Sequence, residues 1–230
     1  MKLHGIQKMT LLDFPGCVSC TVFLGGCDFR CPFCHNFELI DGTIKPALDE
    51  DELLEFLKGR KGLLEGVAIT GGEPLMHKEL LSLIKRIRDI GYRVKLDTNG
   101  YHPDYLNEII STGLVEYVAM DIKNSPEKYA ITCGVESVDM DRIYRSVSIL
   151  MNSEIEYEFR TTVVEELHTE EDFSKIGEVI KGAKRYFLQR FTDRDSVPYG
   201  NLTAPSFEKM YKYAEISRKF VPQTELRGVE

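Results

Sequence analysis

The run IEYEFRTTVV at residues 155–164 alternates apolar with charged side chains. In an extended strand Ile155, Tyr157 and Phe159 share one face, and Glu156, Glu158 and Arg160 share the other. YRVKLDT does the same, with Arg93, Lys95 and Asp97 set against Val94 and Leu96, and MDIK puts Asp121 and Lys123 on one face. Strand-like runs of this kind (CVSCTVFL, GVAIT, YRVKLD, VEYVAMD, IEYEFRTTVV, KRYFLQRF) alternate with amphipathic helical patterns. That order implies repeated βα units around a parallel sheet of about six strands. Strands of a parallel sheet are normally apolar on both faces, so the charged face must line a polar interior. A flat doubly wound sheet accounts poorly for this. The expected fold is α/β, a partial (β/α)6 TIM-like barrel of parallel strands. Its outside is covered by helices, and it is open on one side because six strands fall short of the closed eight.

The helical patterns support this layout. In HKELLSLIKRIRDIG, Leu80, Leu83, Ile84 and Ile87 share a face, and Gly91 is placed to stop the helix. SFEKMYKYAEISRKF follows a Pro-containing loop as a last helix. No linker or composition break divides the chain, so a single domain over 1–230 is expected, with a C-terminal helical extension at about 192–230. The formal net charge of −8 gives no general attraction for nucleic acid. No segment has the pattern of a secretion signal, and no apolar stretch approaches the ~18 residues needed to cross a bilayer. The expectation is a cytoplasmic protein without membrane contact.

In a reducing compartment cysteines serve as metal ligands, catalytic thiols or core residues rather than disulfides. Five of the six lie between Cys17 and Cys34. Cys17-x2-Cys20 with Cys31-x2-Cys34 has the outline of a zinc ribbon. However, Cys17 and Cys20 flank an apolar strand run at an odd separation, which sends them to opposite faces, and Cys27 is left over. A redox pair at Cys31 and Cys34 also leaves Cys27 without a role. Taken together, Cys27, Cys31 and Cys34 form C-x3-C-x2-C, three soft thiolates suited to an iron–sulfur cluster with one iron open to a small molecule.

With this motif in full, the chain resembles the radical S-adenosylmethionine superfamily, in which a [4Fe-4S] cluster on such a loop, here 27–34, binds S-adenosylmethionine at its open iron. The resemblance implies Cys27, Cys31 and Cys34 as cluster ligands and Phe33 as the aromatic residue near the adenine. It also implies that TGGEP brings Gly71, Gly72 and Glu73 to the methionine amino group. At the ends of the next strands, DTNG and DIK offer Asp97, Thr98, Asp121 and Lys123 to the amino, ribose and carboxylate groups. Arg160 is a further cofactor-binding candidate, with a structural role balancing Glu158 as the alternative. The cofactors carry the chemistry: an electron from the reduced cluster cleaves S-adenosylmethionine to a 5′-deoxyadenosyl radical, which abstracts a hydrogen atom.

The opening GIQKMTLLDFPG, followed by GCDFRCPFCHN and GGEP, is most similar to the glycyl-radical activating enzymes, and among them to the activating proteins of anaerobic ribonucleoside-triphosphate reductase. The implied partners are that reductase and an electron donor such as flavodoxin or ferredoxin. Two rivals remain: a radical enzyme acting on a small molecule, as carboxydeazaguanine synthase does, and a non-catalytic zinc-binding module. Cys17 and Cys20 are expected to pack in a strand and Cys133 to be structural. His35 and Asn36 are expected to support the loop by hydrogen bonds, and the remaining histidines to be surface or capping residues.

Overall fold

The computed structural model describes residues 1–229. Its elements run β1 (Lys2–Leu3), β2 (Gly5–Thr10), β3 (Ser19–Leu24), β4 (Leu48–Asp49), α1 (Glu50–Gly59), β5 (Gly66–Gly71), α2 (Leu80–Ile90) and β6 (Arg93–Thr98). They continue through α3 (Pro103–Ser111), β7 (Tyr117–Asp121), α4 (Tyr129–Cys133), α5 (Met140–Met151), β8 (Glu156–Val163), α6 (Glu170–Val179), β9 (Tyr186–Arg190), α7 (Phe207–Arg218) and β10 (Thr224–Arg227). The main sheet has eight strands in the order β10-β9-β8-β7-β6-β5-β3-β2. All neighbours pair in parallel except β2, which lies antiparallel to β3.

The six expected strands are β3 and β5 to β9. The two edge strands were not foreseen. GIQKMT is half exposed and TELR is short and polar, so neither carries the apolar signature of a central strand. The segment 192–230 is therefore not helical throughout: after α7 the chain returns to the sheet, with Thr224 opposite Tyr186. At the other end, β3 starts at Ser19, because Pro15 and Gly16 turn the chain just before it.

Helix ends follow local chemistry. At α1 the Asp49 carboxylate accepts from Glu52 N–H at 3.0 Å, and the Glu52 carboxylate accepts from Asp49 N–H at 2.7 Å, a reciprocal cap. α2 ends at Gly91, whose φ of 107° is left-handed. Its buried residues are Leu80, Leu83, Ile84 and Ile87, each contributing about 1.5–3 kcal/mol by leaving water.

The alternation seen in sequence divides the molecule into two environments. Val94, Leu96, Val118, Met120, Tyr157, Phe159, Tyr186 and Leu188 join the helices in one apolar core. The intervening residues face inward, where Glu158 is bound by Arg227 at 2.9 and 3.0 Å and by the Tyr117 hydroxyl at 2.8 Å. A cavity of about 920 Å³ is lined both by Leu11, Leu12, Asp13 and Pro15, which follow β2, and by Leu226–Val229, which include the end of β10. The two ends of the sheet thus curl toward each other across an opening without pairing, giving an open rather than a closed barrel. Cys20 lies in the main core, whereas Cys17 packs with Phe14, Tyr117 and Ala119. The two residues sit in different clusters, as their odd separation demanded.

Candidate functional site

The loop carrying Cys27, Cys31 and Cys34 leaves β3 through Gly25 and Gly26. It is fixed mainly by backbone hydrogen bonds: Gly72 N–H to Leu24 C=O at 2.8 Å, Glu73 N–H to Gly26 C=O at 2.7 Å, Gly26 N–H to Leu39 C=O at 2.9 Å and Arg30 N–H to Cys133 C=O at 2.8 Å. Gly71 and Gly72 are required by this contact. A Cβ on Gly71 (φ 121°) would lie 2.2 Å from Leu24 O, and one on Gly72 would lie 1.8 Å from Gly26 O. Their small size therefore serves the approach of two backbones, and both also line the cavity beside the loop.

That cavity, of about 250 Å³, gathers Cys27, Cys31, Cys34, Phe33, Gly71, Gly72, Asp97, Thr98, Asp121, Lys123 and Arg160. Glu73 is the exception among the sequence candidates. Its carboxylate is buried on the protein side, accepting from Leu75 N–H at 3.0 Å, Thr98 Oγ1 at 2.8 Å and Asn99 N–H at 2.6 Å. Burial pushes its pKa up to about 7 against these three donors. Glu73 thus ties the end of β5 to the turn after β6. Asn99 in that turn donates from Nδ2 to Cys27 Sγ at 3.7 Å.

The donor set fits a cluster. Three thiols face one cavity, and Cys27 Sγ already accepts N–H groups from Phe29 at 3.4 Å and from Asn99. Burial raises the pKa of Cys27 to about 12 and raises that of Cys34, so metal would have to displace their protons. The neighbouring Cys133 thiol holds Cys31 low instead. Among the described residues, no group of three or more His, Cys, Asp or Glu side chains could hold a single metal ion.

Across the cavity, Arg160 bridges two carboxylates, with Nε to Asp121 at 2.9 Å and Nη1 to Asp97 at 3.3 Å. Arg160 therefore balances these aspartates, while Glu158 has Arg227. Lys123 pairs with Asp121 at 3.0 Å and Lys95 pairs with Asp97. Burial disfavours every one of these charges, yet the aspartates stay ionised: Arg160 and Lys123 bring Asp121 to about 2, and Arg160 and Lys95 keep Asp97 low. Three cations facing two carboxylates leave one positive charge over. The arrangement suits a ligand that carries both an ammonium and a carboxylate.

Sequence reading missed several cavity residues. Thr162 and Gln189 occupy the inward parity of β8 and β9, so the rule that found Arg160 also finds them. Asn99 stood inside the quoted DTNG. His35 Nε2 contacts Thr192 O at 2.7 Å, and Asn36 Nδ2 donates to Gly71 O at 3.2 Å. Both tie the loop to its neighbours. His168, expected at the surface, is buried, with Nε2 2.9 Å from Lys123 O. It sits beneath the strand end that carries Lys123.

Comparison with known proteins agrees with this geometry. The family model described as the Radical SAM superfamily matches residues 21–180. A Methanocaldococcus jannaschii protein named as a glycyl-radical enzyme activating enzyme is 27% identical over 99% of this chain and 96% of its own length. The pyruvate formate-lyase-activating enzyme of Clostridium pasteurianum is 28% identical over 94% of this chain and 90% of its own. The 7-carboxy-7-deazaguanine synthase of Hyperthermus butylicus is 40% identical, but over 39% of this chain and 38% of its own. Streptococcus suis SuiB bound to S-adenosylmethionine superposes with a TM-score of 0.67 at 13% identity, over 90% of this chain and 52% of SuiB.

Proposed function

Because this chain belongs to the radical SAM superfamily, with the [4Fe-4S] cluster and S-adenosylmethionine that membership entails, we propose that it is an activase that installs a glycyl radical on a partner enzyme. The opening motif directs the finer reading to anaerobic ribonucleoside-triphosphate reductase, with flavodoxin or ferredoxin as electron donor. When bound, the cluster supplies one electron to S-adenosylmethionine, releasing methionine and a 5′-deoxyadenosyl radical able to take a hydrogen atom from glycine.

The chain's own residues hold and orient. Cys27, Cys31 and Cys34 carry the cluster. Asp97 and Asp121 receive the ammonium of S-adenosylmethionine, and Lys123 receives its carboxylate. Phe33, buried at the cavity wall, gives the adenine an apolar surface. Arg160 keeps both aspartates ionised and fixed in place before the ligand arrives.

The observation that carries the assignment is the joining of the two cavities. Asp97, Arg160 and Gln189 line both, so the opening between the sheet ends leads directly to the cofactor side. A cavity of about 920 Å³ flanked by the exposed Leu11 and Leu12 admits a peptide loop, whereas a small-molecule site needs no such approach. The likeness to the deazaguanine synthase extends over 39% of this chain, whereas the two activating enzymes match 99% and 94% of it, which favours the activase reading over a purine substrate. No helix among the described residues is long and apolar enough to cross a membrane.

The test is to mix the reduced, reconstituted enzyme, S-adenosylmethionine and candidate glycyl-radical proteins without oxygen, and to record electron paramagnetic resonance. The expected result is a glycyl doublet on the reductase. A doublet on another enzyme would reassign the partner. Cleavage of S-adenosylmethionine with no doublet on any such protein, together with turnover of a small molecule, would overturn the activase reading.

A further inference from the structure

Cys133 has no part in the function above, yet it is built into the cysteine loop. It ends α4, and its carbonyl accepts the Arg30 N–H at 2.8 Å. The next residue, Gly134, has a φ of 65°, and a Cβ there would lie 2.1 Å from Arg30 O. The backbone of residues 133–134 is thus pressed against the residue preceding Cys31. The side chains follow: Cys133 and Cys31 belong to the same buried cluster, and each thiol shifts the ionisation of the other. Cys133 is fully buried, while Cys31 reaches the cavity. Within the C-x2-C turn, by contrast, the contact between Cys34 and Cys31 is a backbone one, from N–H to C=O at 3.1 Å.

We propose that Cys133 is a resolving thiol: when the loop loses its metal in the presence of a peroxide, Cys31 and Cys133 close to a reversible disulfide that protects the Cys31 sulfur from further oxidation. The Cys31 sulfur attacks one oxygen of hydrogen peroxide, the O–O bond breaks, and Cys31 becomes a sulfenic acid with release of one water. The Cys133 sulfur then attacks the Cys31 sulfur and forms the S–S bond. The sulfenic hydroxyl leaves with the Cys133 proton as a second water. Two thiols lose two electrons in total, and the peroxide accepts them. With the backbone of 133–134 already held against Arg30, the two side chains start from neighbouring positions for closing to the bond length of about 2.05 Å. Without a neighbouring thiol, a sulfenic acid proceeds to sulfinic acid, which thiol reductants do not reverse. The proposal rests on Cys31 being a cluster ligand and is independent of which protein is activated.

The experiment exposes the reconstituted full-length protein, and its Cys133→Ala variant, to hydrogen peroxide until the cluster absorbance is lost. Free thiols are then alkylated, and unreduced digests are mapped by mass spectrometry. In the wild type a Cys31–Cys133 peptide should be the main crosslink. Dithiothreitol followed by iron and sulfide should then restore most of the cluster. In Cys133→Ala, Cys31 should appear as sulfinic acid or paired with Cys34, and recovery should fall several-fold. Should that variant fail to fold, Cys133→Ser takes its place, and the wild-type map decides alone. A wild-type map with Cys133 alkylated, whether Cys31 pairs with Cys34, with Cys27 or with nothing, overturns the proposal.

Discussion

Glu73→Gln should flatten the pH dependence of stability in a defined window. The wild-type carboxyl is fully buried, and its folded pKa of about 7 lies above the ordinary 4.5. Below pH 4.5 both states hold the proton, and no difference arises. Between pH 4.5 and about 7 the unfolded chain has lost the proton while the folded one keeps it, so stability falls as pH rises. At about 1.4 kcal/mol per pH unit, the interval from 4.5 to about 7 amounts to about 3 kcal/mol. Glutamine cannot titrate, so its profile lacks that decline. It also sets an amide N–H₂ or a single carbonyl against three donors, and one buried donor left unpaired costs about 1–3 kcal/mol at every pH. The wild type's advantage of about 1–3 kcal/mol at low pH should therefore fall steadily from pH 5 and, because the wild-type decline of about 3 kcal/mol is as large or larger, vanish or change sign near pH 7. Urea unfolding followed by circular dichroism, under reductant and at half-unit pH steps, reads this directly, because all other titrating groups cancel in the difference. A constant difference across that range would refute the burial argument and show Glu73 ionised in the folded state throughout.

Other outcomes follow from the same geometry. Cys27→Ala, Cys31→Ala and Cys34→Ala should each abolish reductive cleavage of S-adenosylmethionine, whereas Cys17→Ala and Cys20→Ala should keep the cluster's visible absorbance; chromatography of 5′-deoxyadenosine with iron analysis tests both. Leu12→Glu places a charge on a side chain 90% exposed at the opening. It should raise the apparent KM for the partner protein about tenfold, equivalent to about 1.4 kcal/mol, with cleavage in the absence of partner unchanged. Arg227→Ala leaves the buried Glu158 with Tyr117 as its remaining donor and should cost about 1–3 kcal/mol, read as a lower thermal midpoint.

The fold was legible where side-chain parity is strict. Lys95 with Asp97, and Glu158 with Arg160, stand out against apolar neighbours, and this alternation identified both the sheet and its polar inside. The edges were not legible, because β2 and β10 derive their order from a single neighbour each and carry no apolar period. Among cavity residues, those with chemistry in a short motif were found first. Thr162 and Gln189 lie outside any motif and carry no charge, so that strand parity is the one sequence signal that marks them. Glu73 misled for a physical reason: a carboxylate beside two glycines reads as ligand-facing, but the glycines are there so that backbones can touch, and that contact turns the carboxylate inward. Arg160 needed a partner from another strand to be interpreted, and sequence spacing does not report that Asp121 and Asp97 converge on it.

The contrast between the two faces of the sheet bears on what the protein tolerates. Apolar packing is concentrated on the outer side, where helices meet strands, and the inner side, apart from the small cluster of Phe14, Cys17, Tyr117 and Ala119, is a lattice of ion pairs around open space. A segment inserted from the side therefore displaces solvent and leaves the packed side chains where they are. It follows that exchanging inward residues that stand outside the buried ion pairs, such as Thr162 and Gln189, can redirect what enters with little loss of the folded state, whereas changes on the outer face would unfold the chain before they altered its choice of partner.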